Sequence, residues 1–263
     1  MVNRNLKRLY TFLIFAFLYA PIIILIIYSF NDSKFRGDWS GFTLRWYIEL
    51  FQDREVLRVL YYTFAIAITS SIISTVIGTL AAIGIHGIRG FTKKAILNLN
   101  YIPVLNPDIV TAVALMALFR MARLQFGFLT LLLAHITFSV PYVVLSILPK
   151  LKQMNVHLAE AAMDLGATPF YALRKVIIPE IMPGIITGGL LAFTLSIDDF
   201  VISFFTTGHG ISNLSIYIYS MARKGINPTI NALSTLMFIS LLALLLIINK
   251  RSERSEKIIQ ERR

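Results

Sequence analysis

Residues 160–179 have the sequence EAAMDLGATPFYALRKVIIP, and this polar-containing segment lies between two long apolar runs. We predict that a short helix ends at Gly166, because glycine adopts a left-handed cap without steric cost. Thr168 is then expected to cap a second short helix that starts at Pro169, and Pro179 is expected to end it. The segment is therefore predicted to form two short helices around a glycine turn at a membrane surface.

The first of these helices is predicted to be amphipathic. At about 100° per residue, three polar side chains fall along one edge, with apolar side chains beside them. The polar edge consists of His157, Glu160 and Asp164. An interfacial helix of any multi-spanning membrane protein would have this pattern, and a docking element for a cytoplasmic partner is the alternative.

The segment resembles the EAA loop of ABC importer permeases of the first type. The identities at the family spacing are Glu160, Ala161, Ala162, Gly166 and Pro179, and Val176 and Ile178 stand where the family has Ile and Leu. In that family the loop contains the coupling helix, which docks in a cleft of the ATP-hydrolysing subunit. The resemblance implies that the residues that contact such an ATPase are Glu160, Ala161, Ala162, Asp164 and Gly166.

The chain has the composition of a multi-spanning membrane protein. Of its 263 residues 56% are apolar, and the mean hydropathy is +0.71. The net charge of +11 does not indicate nucleic-acid binding, because the basic residues gather at the ends of apolar runs. The chain has no cysteine, which excludes disulfides, zinc thiolates and thiol nucleophiles.

Six apolar runs predict an all-α membrane protein with six transmembrane helices, and the resemblance implies the ABC transmembrane type-1 fold with a cytoplasmic coupling helix. The spans are expected at about 9–30, 59–85, 97–119, 125–148, 181–205 and 231–249. Residues 1–58 would form the first span and an outer loop, 59–249 the permease core with its coupling loop at 155–179, and 250–263 a charged tail. Of the 25 Lys and Arg residues, 16 lie on the side of the N-terminus, which predicts cytoplasmic termini.

The sequence offers little for catalysis. No Gly-x-x-x-x-Gly-Lys-Ser/Thr motif occurs, so ATP and Mg would be bound by a partner chain, and the four histidines never form His-Glu-x-x-His. An intramembrane aspartyl protease would need two converging carboxylates, and no Gly-x-Gly-Asp context supports Asp108 as a partner of Asp198 or Asp199. We predict no catalytic residue, no metal site and no cofactor bound by this chain.

Three acids inside the predicted spans are candidate pathway residues, because an ionised carboxylate in hydrocarbon costs at least about 2.5 kcal/mol. Asp108 follows Pro107, which is expected to bend the third span, and either lines a pathway or only caps the half-helix that follows. Asp198 and Asp199 lie in the outer third of the fifth span. They either line the pathway together with Ser196 or mark an interfacial helix end.

Two further features also have two interpretations each. Trp46 and Tyr47 in the first outer loop either stack on a cation or methylene chain, or anchor the loop at the membrane interface. Gly184 and Gly188 form a Gly-x-x-x-Gly pattern, which either contacts a partner permease or packs inside the chain.

Carboxylates along one route would repel anions such as sulfate, phosphate and molybdate, and would attract a cation. The motifs that contain Trp46 and these acids are Gly41-Phe42-Thr43-x-x-Trp46-Tyr47, Pro107-Asp108-Ile109-Val110 and Phe193-Thr194-Leu195-Ser196-x-Asp198-Asp199. With them, nearly the whole chain resembles spermidine/putrescine permeases of the C-subunit type. The resemblance implies a polyamine route along Trp46, Asp108, Ser196, Asp198 and Asp199.

The same resemblance implies a permease subunit of an ATP-driven polyamine importer in the inner membrane of a bacterium. Its expected partners are a cytoplasmic ABC ATPase dimer, a second permease and a polyamine-binding protein. A permease for another cation, such as thiamine or ferric iron, is the nearest alternative. A stand-alone secondary transporter is a second one, although the sequence shows no clear internal repeat.

Overall fold

The structure is a computed structural model that describes residues 4–33, 38–155, 157–208, 210–224 and 228–243. The described residues form helices, with one isolated antiparallel bridge between Asn31 and Phe42. The helices are α1 (Arg4–Ser29), α2 (Arg45–Gln52), α3 (Arg54–Gly87), α4 (Gly90–Leu105), α5 (Asp108–Met121), α6 (Phe128–Gln153), α7 (Leu158–Asp164), α8 (Pro169–Ala172), α9 (Ile178–Asp198), α10 (Val201–Thr206), α11 (Leu214–Lys224) and α12 (Pro228–Ala243). The predicted all-α fold is confirmed.

Four helices of the described residues are long and apolar enough to cross a membrane. They are Leu6–Ser29, Arg54–Gly87, Phe128–Gln153 and Pro169–Asp198. The pair α4 and α5 qualifies as a fifth span, bent by 106° at the break between its two helices. The predicted sixth span, 231–249, lies partly outside the described residues, and its described part belongs to the shorter apolar helix α12.

The bend between α4 and α5 has a local cause. Pro107 follows Asn106, which has an extended backbone (φ −76°, ψ 145°). A residue before proline is pushed out of the helical region because the proline ring crowds its backbone, so α4 ends there. The predicted bend at Pro107 is confirmed.

Pro179 does not end the second short helix, so this prediction was wrong. A π-helical segment (Leu173–Ile177) follows α8, and α9 continues from it without interruption. The N–H of Ile178 donates to the carbonyl of Leu173, five residues back. This wider turn changes the hydrogen-bond register directly before the proline, so the missing N–H of Pro179 does not stop the helix.

The core of the unit that contains α6 is built by close contact of α6 with α3 and α9. A Cβ on Gly188 would lie 3.1 Å from the Cα of Val143, and one on Gly184 would lie 3.0 Å from the carbonyl oxygen of Ser146. On α3, a Cβ on Gly78 would lie 2.6 Å from Cγ1 of Val143. Gly184 and Gly188 therefore pack inside the chain, which is one of the two predicted interpretations.

The chain divides into two compact units, residues 1–57 with 218–263, and residues 58–217. The first contains α1, α2 and the loop between them. The second contains the packed helices α4–α10 and most of α3.

Candidate functional site

The glycine turn of residues 160–179 forms as its sequence predicts. α7 ends at Asp164, and Gly166 follows with a left-handed backbone (φ 87°). The side-chain oxygen of Thr168 accepts a hydrogen bond from the N–H of Tyr171 at 3.3 Å, and Pro169 is the first residue of α8. The structure confirms the predicted cap at Thr168, the helix start at Pro169 and the stop at Gly166. Each of these features depends only on residues of the segment itself, which is why the sequence predicts it.

An exposed surface of mixed character covers this segment. We use the name coupling surface for five exposed residues of this segment, which are Glu160, Asp164, Leu165, Phe170 and Tyr171. Leu165 is 90% exposed and Phe170 is 71% exposed, beside two carboxylates. Large apolar side chains at this exposure, next to charges, are typical of a protein-docking site. Of the other predicted coupling residues, Ala161 and Gly166 are exposed and Ala162 is half-buried.

Glu160 makes one ion pair within the segment. Its Oε2 lies 2.9 Å from Nδ1 of His157, three residues earlier, and both side chains are mostly exposed. An exposed pair of this kind contributes at most about 1 kcal/mol. The predicted polar edge of α7 therefore exists, and its second carboxylate, Asp164, is exposed near it.

Asp108 lies at the break between α4 and α5. It is the first residue of α5, while Pro107 occupies the cap position and no side chain caps the helix. The interpretation of Asp108 as a helix cap was therefore wrong. The carboxylate is exposed, and it lies within electrostatic range of Tyr142 on α6. Its pathway role stays a prediction.

A second break separates α9 from α10, at Asp199. The predicted fifth span, 181–205, is therefore not one helix. Oδ1 of Asp199 accepts from the N–H of Ile202 at 3.1 Å, and Oδ2 accepts from the N–H and the hydroxyl of Ser203, both at 2.7 Å. A carboxylate that binds these backbone donors stabilises a new helix start and competes with continuation of α9.

A buried polar network centres on His135 of α6, which is 0% exposed. Its Nδ1 lies 2.6 Å from the hydroxyl of Ser196 on α9, and its Nε2 lies 2.9 Å from the hydroxyl of Ser203 on α10. The same Nε2 is 3.7 Å from Oδ2 of Asp199. Asn213 completes the network, since its Nδ2 donates to Ser203 at 2.7 Å.

The structure therefore brings two of the predicted pathway residues, Ser196 and Asp199, into one network, and leaves Asp108 and Asp198 exposed. No spacing pattern in the sequence indicated that His135 or Asn213 belongs to it. For His135 the signal was present, because a histidine in the middle of an apolar span needs buried polar partners.

Trp46 belongs to the unit of residues 1–57 and 218–263. It is buried, and its Nε1 donates to the carbonyl of Asn31 at 2.7 Å. The guanidinium of Arg45 lies 4.2 Å from the centre of its ring. The hydroxyl of Tyr47 hydrogen-bonds to that of Ser29 at 2.7 Å. Both aromatic residues therefore fasten α2 to the end of α1, and the cation that stacks on Trp46 here is Arg45.

Among the residues that the structure describes, no group of three or more His, Asp or Glu side chains could hold a metal ion. The described features are spans broken at carboxylates, a glycine-packed helical core and an exposed surface on which large apolar side chains lie beside carboxylates. Together they define a multi-spanning membrane protein of the transport class.

Comparison with known proteins identifies the family. Residues 74–258 match the family described as binding-protein-dependent transport system inner membrane component, and the chain belongs to it. It is 40% identical over 248 residues to the spermidine/putrescine transport system permease protein PotC of Escherichia coli (strain K12), covering 94% of this chain and 93% of the relative. It is also 40% identical over 235 residues to the putrescine transport system permease protein PotI of the same organism, covering 85% and 82%.

A solved structure with the same fold is a chain of a bacterial ABC transporter involved in the import of the acidic polysaccharide alginate. It superposes with a TM-score of 0.72 over 95% of this chain and 94% of that chain, at 18% identity. This likeness confirms the fold. The members of the family are transport components rather than enzymes, and this chain is a multi-pass membrane protein of that kind.

Proposed function

We propose that this chain is a permease subunit of an ATP-driven importer of polyamines such as spermidine and putrescine. The observation that carries the proposal is the 40% identity, over 94% of the chain, to a spermidine/putrescine permease. The exposed carboxylates at the helix breaks, Asp108 and Asp198, support a cationic substrate. An ionised carboxylate near the membrane interior has a high desolvation cost, and a bound ammonium group of opposite charge offsets this cost.

The carboxylates differ in what they can offer to a substrate. Asp199 already accepts three hydrogen bonds from α10, whereas Asp108 and Asp198 are exposed. We assign direct contact with the ammonium groups to Asp108 and Asp198. Ser196 and Asp199 shape the break between α9 and α10. A chain of amines separated by methylenes would engage the two exposed carboxylates in succession.

The coupling surface is the proposed contact with a cytoplasmic ABC ATPase dimer, which binds ATP and Mg. The ATPase closes when it binds ATP, and the surface transmits this motion to the spans through the continuous helix Pro169–Asp198. A second permease and a polyamine-binding protein complete the complex. Both termini of this chain and the coupling surface face the cytoplasm of a bacterial cell, in agreement with the distribution of Lys and Arg.

Uptake of radiolabelled spermidine by cells that lack other polyamine importers tests this function. The chain is expressed together with an ABC ATPase, a second permease and a polyamine-binding protein from the same organism, and unlabelled putrescine, thiamine and ferric citrate are added as competitors. We expect uptake that requires the ATPase and that putrescine reduces. Uptake by this chain alone without an ATPase, or competition by thiamine and not by putrescine, would contradict the proposal.

A further inference from the structure

His135 joins the two helices that meet at the break beside Asp199. It lies on α6, it is fully buried, and its two ring nitrogens contact different helices. Ser196 lies before the break on α9, and Ser203 lies after it on α10. The imidazole therefore bridges the two sides of the break from a third helix.

The hydrogen-bond partners fix the direction of every bond in this network. The single proton of the Ser203 hydroxyl goes to Oδ2 of Asp199, because this oxygen also accepts from the N–H of Ser203 and therefore acts as an acceptor. Oδ1 of Asn213 accepts from the N–H of Ile216 at 3.0 Å, so its Nδ2 faces Ser203 and donates to it. The hydroxyl oxygen of Ser203 must therefore also accept from Nε2 of His135.

The tautomer of His135 follows from this assignment. With the proton on Nε2, Nδ1 of the neutral ring accepts from the hydroxyl of Ser196. The oxygen of Ser196 in turn accepts from the hydroxyl of Ser70 on α3, at 3.2 Å. The hydrogen bonds therefore run in one direction, from α3 through α9, α6 and α10 to the carboxylate of Asp199, and such aligned bonds strengthen one another.

We propose that His135 is a positioning residue of the transport pathway, which holds Ser196 and Ser203 at a fixed separation and thereby sets the direction of Asp198 and Asp199 at the break. The inference deepens the proposed function and rests on it for the identity of the substrate. His135 itself is buried and does not contact the substrate.

Two substitutions separate the polar role of His135 from its volume. H135F fills the site without hydrogen bonds, whereas H135Q restores a donor near the position of Nε2. We compare Vmax and KM for radiolabelled spermidine at matched amounts of assembled complex. We expect Vmax to fall about tenfold or more in H135F and to stay within about threefold of the wild type in H135Q, because misplaced groups slow a step strongly.

A matched control lies one helical turn further along α6. Ser139 is as buried as His135, and no partner lies within hydrogen-bonding distance of its Oγ among the described residues. S139A is therefore expected to transport at the wild-type rate.

S203A removes the hydroxyl that accepts from Nε2 of His135, in a small change that preserves packing, and we expect it to lower Vmax as H135F does. It carries the test if H135F does not assemble.

Hydrogen exchange gives a readout that needs no substrate. The N–H groups of Ile202 and Ser203 bind Asp199, so loosening the break exposes them. Mass spectrometry of peptides covering α10 in the full complex is expected to show about tenfold faster exchange in H135F, and unchanged exchange in H135Q and S139A.

The two proposals can fail separately. Wild-type Vmax in H135F and S203A, equal losses in H135F and H135Q, or unchanged exchange in H135F would each overturn the positioning role, even while the wild-type complex takes up spermidine. If the wild-type complex takes up no spermidine but exchange is faster in H135F alone, the positioning of the break stands and the polyamine assignment fails.

Discussion

Asp198 and Asp199 are adjacent in sequence, yet their carboxylates have different environments. Asp198 ends α9 and is exposed, whereas Asp199 is partly buried and binds the first turn of α10 through Ile202 and Ser203. The extended backbone of Asp199 (ψ 124°) ends α9 and redirects the chain, so that the first turn of α10 lies against the carboxylate of Asp199. One carboxylate is therefore exposed, and the other is bound to the first turn of α10.

This difference predicts that the same substitution lowers the Tm at Asp199 but not at Asp198. D199N places an amide group against N–H donors, so we expect it to destabilise the complex by about 1–3 kcal/mol, and its Tm and uptake should both fall. D198N removes an exposed charge, so we expect lower spermidine uptake at an unchanged Tm. Equal effects of D198N and D199N on Tm would contradict the assignment.

Asp108 is predicted to act on transport rather than on folding. D108N keeps the shape of an exposed side chain that caps no helix, so we expect uptake to fall more than the amount of assembled complex. Both are measured in the same membranes, by labelled spermidine and by quantitative blotting. E180Q, which neutralises an exposed acid in the first turn of α9, serves as the control and should transport normally. Parallel losses of uptake and complex in D108N would show a structural role.

The coupling surface should tolerate loss of its ion pair but not reversal of its charge. We expect E160K to abolish ATP-dependent uptake while the chain still inserts into the membrane, because the exposed carboxylate is proposed to contact the ATPase. H157A removes the pair with Glu160 and keeps the carboxylate, so it should retain at least about half of the uptake, since exposed ion pairs contribute little. Copurification of the ATPase measures docking directly. Normal copurification and uptake in E160K would show that this surface is not the docking site.

Two glycines of α3 provide a test of packing on one helix. A Cβ on Gly78 would meet Val143 at 2.6 Å, whereas a Cβ on Gly84 would meet nothing within 4 Å. We expect G78A to destabilise the chain by about 1–3 kcal/mol through overpacking. G84A should be neutral or stabilising by up to about 1 kcal/mol, because alanine favours a helix. Thermal unfolding of the purified chain in detergent checks both, and a lower Tm in G84A than in G78A would contradict the α3–α6 contact.

The features that the sequence predicts correctly are local ones. The stop at Gly166, the cap at Thr168 and the bend at Pro107 each depend on the backbone preferences of one or two neighbouring residues. The all-α fold follows from apolar runs, which are equally local.

The features that it misses require residues far apart in sequence to meet. His135, Ser196 and Ser203 come from three helices, and no spacing rule along the chain connects them. The continuation of the helix through Pro179 was missed for another reason. Proline is a reliable stop for an α-helical register, and the π turn before it, at Leu173–Ile177, changes that register.

The helix from Pro169 to Asp198 is continuous over 30 residues, which is about 45 Å at 1.5 Å per residue. Two residues near its start, Phe170 and Tyr171, belong to the coupling surface, and its last residue is Asp198. Under the proposed function, a displacement of Phe170 along the helix axis would be transmitted to Asp198 through continuous backbone hydrogen bonds, with no loop between the two residues. The π turn at Leu173–Ile177 interrupts the α-helical register of this helix, so we expect a change in the winding of that turn to change the displacement that reaches Asp198.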